Sequence, residues 1–367
     1  MTTGCPFLLW IILPVDFNVY SPYPEYNKLS EGGNMNNHQQ TLSPEQLEGM
    51  IRGWQSNRIL LTAFELSIFA HLENPTSSDT VAAALNTSPR HTDRLLNALV
   101  VLGVIEKKDG KFKNGSAASK HLVPGKPEYW MSLGHLNNMW DGWTRLTDVI
   151  RTGKPARELP DARPGDENWA EHFIAAMQQF GSKRAPAVFA QLELNHAKKA
   201  VDLGGGSGAF AVEVARRYPS LHVDVFDLPH ILPITKKYVT QSDVSERIGY
   251  VEGDFLVNDY GTELDVVFMS NVIHSNGPEE VQGMFRRAFK ALNPGGQLVI
   301  HDFMPNDDRT APPWAVTFAI NMLVHTKNGD TFTINEIKNW MEAAGFTGTV
   351  HKDTGMNSDL VIAHRPK

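Results

Sequence analysis

The stretch VDLGGGSGAF, residues 201–210, decides the fold of this chain. The apolar residues 200–203 predict a β-strand and residues 209–218 predict a helix, so the glycines form the turn between them. Such a turn lets backbone N–H groups approach a ligand closely, because glycine has no Cβ and a helix N-terminus attracts electron-rich groups. The stretch therefore predicts a nucleotide-like ligand at the carboxyl end of a parallel strand.

Strand and helix patterns continue to alternate on the C-terminal side of this turn. Such alternation indicates a parallel sheet with helices on both faces. A helix at residues 333–344 precedes a tail, residues 347–364, that has the pattern of two strands around Gly355. We therefore expect five parallel strands, a late helix and a terminal hairpin. The candidate parallel strands are Ala200–Leu203, Val223–Asp227, Ile248–Val251, Leu264–Met269 and Gln297–Asp302.

The first half of the chain, residues 43–189, is mostly helical in pattern. Ser43-Pro44 is a helix start. Two short helical segments at 78–85 and 88–103 precede a hairpin signal at Asp109-Gly110. Helix, helix and hairpin in this order form a winged-helix pattern, which alone would suggest a DNA-binding regulator. The helix that would contact DNA, residues 90–102, has only three potential cations, so packing and dimerisation are the favoured interpretation.

Composition narrows the class of protein further. A length of 367 residues suggests two domains, and a net charge of -7 without a basic block disfavours a nucleic-acid partner. The single cysteine, Cys5, excludes an internal disulfide and a cysteine metal cluster. No acidic cluster typical of a magnesium site is present. We expect no metal and a cytoplasmic protein.

The N-terminus differs from the rest of the chain. The apolar run at residues 7–13 is too short to span a bilayer and lacks the flanks of a secretory signal. Residues 16–40 are rich in Pro, Tyr, Asn and Gly. We interpret residues 1–40 as a disordered or loosely attached extension, with Met35 as a candidate translation start, and we expect no membrane partner.

Two cofactors compete for the glycine turn. Gly204, Gly206 and Ala209 satisfy a loose dinucleotide fingerprint, and Asp227 follows at the end of the second strand, where a carboxylate accepts hydrogen bonds from ribose hydroxyls. NAD therefore has to be weighed against S-adenosylmethionine. An additional glycine at Gly208 extends the turn and favours S-adenosylmethionine.

Two further features also favour S-adenosylmethionine over NAD. Asp202, just before the glycines, suits the methionine ammonium group. After the third strand, Asp254 can accept a hydrogen bond from the adenine amino group while Phe255 packs on the ring. S-adenosyl-L-methionine is therefore the expected cofactor.

Five motifs together resemble one enzyme family. They are VDLGGGSG at 201–208, FDLPHIL at 226–232, EGDF at 252–255, FMSNVIHS at 268–275 and NPGG at 293–296. In this order they resemble the caffeic acid O-methyltransferase-like enzymes, a family that includes plant phenylpropanoid, acetylserotonin and bacterial polyketide methyltransferases. The resemblance covers roughly residues 43–364.

The resemblance implies an α/β fold class, in which a Rossmann-like methyltransferase domain follows an N-terminal all-helical, winged-helix-like dimerisation domain. It also implies an obligate homodimer. On this basis we expect an extension at 1–40, a dimerisation domain at 41–150, a helical linker contributing to the substrate pocket at 151–195, and the methyltransferase domain at 196–367.

Site residues follow from the same resemblance, position by position. Gly204, Asp227, Asp254 and Phe255 match cofactor contacts of the family. Ser270 occupies the position of a family lysine, so that cofactor contact is changed. Aromatic and Met side chains suggest a flat or apolar small-molecule acceptor. The candidates for contacting it are Trp169, Phe173, Met177, Phe180, Met322 and His325.

His274 matches the general base of the family. A histidine titrates near neutrality and can remove a proton from a hydroxyl acceptor. The family orients this histidine with two acids; the first falls on Asp302, and the second falls on Thr331, with Asp330 adjacent. These departures leave three explanations open: an acceptor that needs little deprotonation, an orienting role for Asp302 alone, or non-methylating chemistry.

The sequence thus predicts transfer of a methyl group from S-adenosylmethionine to a hydroxyl of a small molecule, with His274 as base and Asp302 as its candidate partner. An S- or C-methyltransferase and a non-methylating enzyme on the same scaffold are the alternatives. A winged-helix regulator that binds S-adenosylmethionine as a ligand is less favoured.

Overall fold

The computed structural model describes residues 41–158 and 168–367. The expected extension at 1–40 and the candidate start at Met35 lie outside the described residues. The chain divides into two compact units, residues 1–137 and 138–367. The domain boundaries expected from the sequence stay predictions.

The first unit is built mainly from helices. Helix α1 begins after Ser43, whose hydroxyl accepts from the backbone N–H of Gln46 while the Gln46 side chain accepts from the backbone N–H of Ser43. This capping box satisfies two N–H groups that a helix start leaves without partners. The helices of this unit up to residue 121 are α1 (Pro44–Glu65), α2 (Ser78–Leu85), α3 (Pro89–Val101) and α4 (Ser116–His121), with a 3₁₀ turn at Ile68–His71.

A two-stranded hairpin, β1 (Ile105–Lys108) and β2 (Lys111–Asn114), lies between α3 and α4. Asp109 and Gly110 form its turn with φ of 50° and 75°, the left-handed conformations that a two-residue hairpin turn requires. The helix, helix, hairpin order predicted from the sequence is therefore present. The core of this unit includes Ile68, Phe69, Leu72, Leu96, Leu99 and Phe112.

One face of α1 is apolar and exposed. Leu47, Met50, Ile51 and Trp54 leave between 50% and 64% of their surface accessible. Their spacing places them on one side of the helix. Covering four large apolar side chains would remove a substantial area from water, so this face has the character of an interface.

The second unit is a seven-stranded sheet with helices on both faces. Helix α5 (Ser132–Thr144) crosses the division between the units, and the helices that follow before the sheet are α6 (Leu146–Thr152) and α7 (Trp169–Ala190). The strands of the sheet are β3 (Lys199–Leu203), β4 (His222–Asp227), β5 (Ile248–Glu252), β6 (Leu264–Ser270), β7 (Leu292–Asp302), β8 (Thr347–Asp353) and β9 (Asp359–His364).

The strand order is β5-β4-β3-β6-β7-β9-β8. Strands β3 to β7 are parallel, and β9 pairs antiparallel with both β7 and β8. The helices among them are α8 (Ala209–Arg217), α9 (Leu232–Val239), α10 (Pro278–Ala291), α11 (Pro313–His325) and α12 (Ile334–Ala343). The α/β fold class and the five parallel strands followed by a hairpin are confirmed.

Alternate residues of the strands pack into two apolar layers. One layer, which includes Phe268 and Val299, contacts helices α7 and α8. The opposite layer, which includes Met269 and Ile300, contacts α10 and α12. Both layers end where the strands end, so side chains that follow the strands at their carboxyl edge surround a crevice rather than a core.

Strand β7 begins five residues before the position predicted from the sequence. Leu292 already pairs with Leu264, and the next pair joins Gln297 to Val266, so residues 293–296 form an irregularity within the strand. Gly295 has φ of 81° there. The NPGG motif therefore lies inside the strand, which accommodates it as a bulge, rather than before the strand. Within the described residues, no helix is long and apolar enough to cross a membrane.

Candidate active site

The glycine turn follows β3 directly and has a left-handed backbone at three positions. Gly204, Gly206 and Gly208 have φ of 63°, 57° and 77°. A Cβ on Gly204 would lie 2.9 Å from the Val272 side chain, and one on Gly208 would lie 2.6 Å from the Val239 side chain. Only glycine combines this conformation with this proximity. The turn therefore presents bare backbone at the N-terminus of α8.

Asp227, the last residue of β4, holds this turn in place. Its Oδ2 accepts a hydrogen bond from the backbone N–H of Gly206 at 2.8 Å, and its Oδ1 accepts one from the N–H of Leu228 at 2.7 Å. Burial raises the pKa of this carboxyl. Each oxygen keeps a further lone pair, so the carboxylate can still accept from a ribose hydroxyl.

Asp202 lies beneath the turn and is almost completely buried. Its Oδ2 has no hydrogen-bond partner among the described residues, and a Cβ on Gly205 would lie 2.8 Å from this atom. Burial and, secondarily, the charge of Asp227 raise the pKa of Asp202 to about 8. A buried carboxylate oxygen without a donor fits a cationic ligand, because such a ligand would stabilise its charged form.

The remaining predicted cofactor contacts, Asp254 and Phe255, follow strand β5. The Oδ1 of Asp254 accepts from the backbone N–H of Leu256 at 2.8 Å, and the N–H of Asp254 donates to Asn258 at 2.8 Å. The Phe255 ring lies 3.5 Å from the position of a Cβ on Gly204. Strands β3, β4 and β5 therefore bring an acidic residue each, and an aromatic ring, to one edge of the sheet, an arrangement that fits S-adenosylmethionine.

His274 and Asp302 form a buried pair beside this crevice. The imidazole Nδ1 lies 2.6 Å from Asp302 Oδ1. Asp302 Oδ2 lies 3.4 Å from the backbone N–H of His274, and Oδ1 also accepts from the N–H of Phe303 at 2.9 Å. A carboxylate only accepts, so Nδ1 carries the proton and Nε2 is left as the basic nitrogen.

Aromatic rings surround the imidazole. The Phe318 ring on α11 meets it edge-on at 4.9 Å, and the Phe303 ring lies parallel to it at 6.2 Å. Trp314 packs against both phenylalanines at 5.9 Å.

The buried Arg184 guanidinium lies 5.0 Å from the centre of the Phe303 ring. Burial lowers the pKa of Arg184 to about 10, against the opposing effect of the Asp302 carboxylate. The imidazole is thus held in a largely apolar site.

The two residues considered for the second acid lie in other interactions. The Asp330 carboxylate lies 3.5 Å from Arg309 and accepts from the backbone N–H of Thr331. Thr331 is buried, and its hydroxyl has no hydrogen-bond partner among the described residues. Within the described part of the chain, Asp302 is the carboxylate paired with His274. The structure therefore favours orientation by Asp302 alone.

Ser270, at the end of β6, does not present an unengaged hydroxyl to the crevice. Its Oγ lies 2.7 Å from His301 Nδ1 and accepts from Asn271 Nδ2 at 3.1 Å. His301 is fully buried, and its Nε2 lies 2.8 Å from the Ser358 hydroxyl. Burial, reinforced by the charge of Arg184, lowers the pKa of His301 to about 3. His301 is therefore a neutral link between strands and is separate from the His274 pair.

The predicted acceptor contacts lie on two helices. The predicted contacts on α7 are spaced three or four residues apart and therefore share one face of the helix. Two of them, Trp169 and Phe173, stack with ring centres 5.1 Å apart. Met322 is buried and His325 is half-buried on α11, which also carries Phe318. Burial lowers the pKa of His325, whose Nε2 has no hydrogen-bond partner among the described residues. The α7 side chains concerned are Trp169, Phe173, Met177 and Phe180.

Sequence reasoning missed one polar residue on α11. Asn321 is 9% exposed, and its Oδ1 accepts from the indole N–H of Trp143 at 3.0 Å. It lies one turn after Phe318, so the two share a face of the helix. The available signal was an amide in an otherwise apolar helix. Phe303 and Phe318 were also missed, since nothing in their spacing identifies them as neighbours of the imidazole.

Two parts of this chain match domain models of one protein family. A model of the O-methyltransferase domain matches residues 143–347, and a model of the O-methyltransferase dimerisation domain matches residues 49–124. One relative is the 3-hydroxy-5-methyl-1-naphthoate 3-O-methyltransferase of Streptomyces sahachiroi, which is 28% identical over 82% of this chain and 89% of its own length.

Another relative is the acetylserotonin O-methyltransferase of Gallus gallus, which is 29% identical over 85% of this chain and 95% of its own length. Among solved structures, human N-acetylserotonin methyltransferase in complex with S-adenosylmethionine superposes with a TM-score of 0.76 at 26% identity. That match covers 90% of this chain and 100% of the human chain.

Proposed function

This chain belongs to the O-methyltransferase family and is an S-adenosylmethionine-dependent O-methyltransferase, and we propose that it methylates an aromatic hydroxyl with His274 as general base. The observation that carries the proposal is the His274–Asp302 pair, with 2.6 Å between Nδ1 and Oδ1, at the carboxyl edge of the sheet. The relatives' names specify a naphthoate and an acetylserotonin as acceptors, and both are aromatic.

His274 acts by taking the hydroxyl proton on Nε2. Its Nδ1–H donates to Asp302, which fixes the tautomer and stabilises the imidazolium that forms. The pair is buried, so water competes little for the acceptor oxygen. A phenol is a weak nucleophile while protonated, and removal of its proton as the methyl group moves is the contribution that a positioned base makes.

S-adenosylmethionine supplies a methyl group on a sulfonium with a good, neutral leaving group. The chain's own residues bind and orient the two reactants, which supplies most of the rate in a displacement of this kind. The turn at Gly204 and Gly206, with Asp202, Asp227 and Asp254, holds the cofactor on three neighbouring strands. Phe255 packs on the adenine.

The acceptor is held between α7 and α11. Phe318 and the Met322 side chain offer an apolar surface to a flat ring. Asn321, fixed by Trp143, adds a polar contact that can orient a substituent of the acceptor. Such a combination of apolar walls and one or two fixed polar groups is typical of small-molecule sites.

A homodimer completes the proposal. The dimerisation-domain match includes the exposed apolar face of α1, residues 47–54, for most of its length. A second copy covering this face would remove four large apolar side chains from water.

A turnover screen with labelled S-adenosylmethionine tests the reaction. Phenols, thiols and enols are offered in parallel at the same concentration, with His274→Ala as the blank for base-dependent transfer. We expect phenols to be labelled in a His274-dependent manner. Labelling restricted to thiols or enols, or transfer that the blank retains in full, would contradict the proposed acceptor and base.

A further inference from the structure

Asn271, the first residue after β6, combines a strained backbone with a polar atom that lacks a partner. Its φ is 55°, in the left-handed region, and its backbone N–H donates to the His301 carbonyl at 2.8 Å. Its Oδ1 is shielded from solvent and has no hydrogen-bond partner among the described residues. Left-handed residues and buried unsatisfied groups concentrate at functional sites, since both cost free energy.

A chain of hydrogen bonds fixes the orientation of this amide. Asn271 Nδ2 donates to Ser270 Oγ at 3.1 Å, and Ser270 Oγ lies 2.7 Å from Nδ1 of the neutral His301. His301 Nε2 lies 2.8 Å from Ser358 Oγ, which lies 2.8 Å from the Thr354 hydroxyl. The nitrogen of the Asn271 amide is thereby engaged, and its oxygen is the end left for another donor.

Strand pairing places Asn271 beside the glycine turn. Leu203 on β3 pairs with Met269 on β6, and continuing that register puts Asn271 level with Gly205. The Oδ2 of Asp202, which also lacks a donor, lies 2.8 Å from the position of a Cβ on Gly205. Asn271 and Asp202, each with an acceptor oxygen that has no donor among the described residues, therefore both lie next to this turn. An ammonium group, with three N–H donors and a positive charge, matches such a pair better than a hydroxyl with one donor.

The strand order identifies which part of the cofactor lies here. Asp254 follows β5 and Asp227 ends β4, so the adenosyl part occupies that side of β3, and the amino-acid part extends toward β6. We propose that Asn271 Oδ1, together with Asp202, accepts hydrogen bonds from the α-ammonium group of S-adenosylmethionine, and that Ser270 and His301 are positioning residues for the Asn271 amide. The inference rests on the cofactor site proposed above.

Isothermal titration calorimetry with two ligands tests the contact directly. S-adenosylhomocysteine carries the ammonium group, and its des-amino analogue lacks only that group. Asn271→Gly removes the amide and tolerates the left-handed backbone. We expect this variant to bind S-adenosylhomocysteine about tenfold or more weakly, the scale of a hydrogen bond to a charged group, and to bind the des-amino analogue within about twofold of wild type.

Two further variants control for effects on the backbone. Asn86→Gly makes the same substitution at φ of 51°, at the C-cap of α2 in the other unit, and should change neither affinity. Asn271→Asp keeps an acceptor oxygen and should bind S-adenosylhomocysteine within about threefold of wild type. Ser270→Ala, which removes the acceptor for Asn271 Nδ2, should weaken S-adenosylhomocysteine binding but leave binding of the des-amino analogue unchanged.

Equal weakening of both ligands in Asn271→Gly, or no weakening of either, would overturn the ammonium contact while leaving the cofactor site intact. Failure of the wild-type protein to bind S-adenosylhomocysteine would instead overturn the cofactor site and this inference with it.

Discussion

At the scale of single residues, the proposed reaction depends on which nitrogen of His274 carries the proton. Asp302 decides this by accepting from Nδ1 while its second oxygen lies near the backbone N–H of the same histidine. The aromatic rings of Phe303 and Phe318 limit where the imidazole can move. The imidazole of the proposed base is therefore oriented by one carboxylate and by packing, and within the described residues the second acid that the resemblance implied is not paired with it.

His274→Ala should lower turnover by about 10²-fold or more and leave S-adenosylhomocysteine affinity nearly unchanged, because a general base contributes on this scale to proton transfer. Steady-state kinetics and calorimetry measure the two quantities. His351→Ala is a matched control, since His351 also pairs with an aspartate at 2.6 Å but lies on β8, at the far edge of the sheet. Wild-type turnover in His274→Ala would remove this histidine from the mechanism.

Asp227→Ala should weaken S-adenosylhomocysteine binding strongly, by about 10²-fold, because the ribose loses a charged acceptor and the turn loses its bond to Gly206. Calorimetry measures the change. Asp265→Ala removes a carboxylate that also accepts two backbone N–H groups, at the opposite ends of the strands, and should bind as wild type does. Equal affinities for the two variants would rule out the assigned pocket.

At the scale of secondary structure elements, strong local signals were sufficient for prediction. The glycine turn between β3 and α8, the Asp109-Gly110 hairpin and the Ser43 cap each follow from residues that favour one backbone conformation. The extent of β7 was not predictable, because its bulge depends on pairing with β6 rather than on its own residues.

The residues of the candidate site likewise include some that the sequence predicts and some that it does not. The predicted cofactor residues lie at or just after the carboxyl ends of strands, so their clustering follows from the sheet alone. The rings around His274 come from β7 and α11, which are adjacent only in the folded chain. Likewise, the link from Ser270 through His301 to Ser358 joins strands β6 and β7 to the loop between β8 and β9, and no local pattern reveals it.

Helix α1 supports a prediction about assembly. Ile51→Glu combined with Trp54→Glu places two charges on the exposed apolar face and should convert the proposed dimer into monomers, because burying unpaired carboxylates costs several kcal/mol. Light scattering coupled to size-exclusion chromatography measures the mass. Val350→Glu, at a single exposed apolar residue on β8, is the control and should stay dimeric. A dimeric double variant would exclude this face as the interface.

At the scale of the whole molecule, two buried groups give stability an uneven dependence on pH. Asp202 has a pKa raised to about 8, so between its unfolded value near 4 and that pH the folded state binds more protons, and stability falls as pH rises. His301 has a pKa lowered to about 3, so stability rises with pH up to the unfolded value near 6.5 and is constant above it.

The two effects oppose each other below pH 6.5, whereas of these two groups Asp202 alone changes stability between pH 6.5 and 8. The free energy of unfolding of the ligand-free protein should therefore fall across that window, by at most about 1.4 kcal/mol per pH unit. Urea titrations at several pH values measure this slope. Asp202→Asn should flatten it, and an unchanged slope in that variant would show that Asp202 is not the group responsible.

The parallel strands end at one edge, and the predicted cofactor residues and the His274–Asp302 pair stand at or just beyond those ends. The apolar layers that stabilise the second unit lie below them, among residues such as Phe268 and Ile300. Substitutions at the carboxyl edge of the sheet can therefore change the site without changing the packing of the core. If the acceptor binds as proposed, substitutions on α7 and α11 should change the acceptor preference and leave the interior of the sheet unchanged.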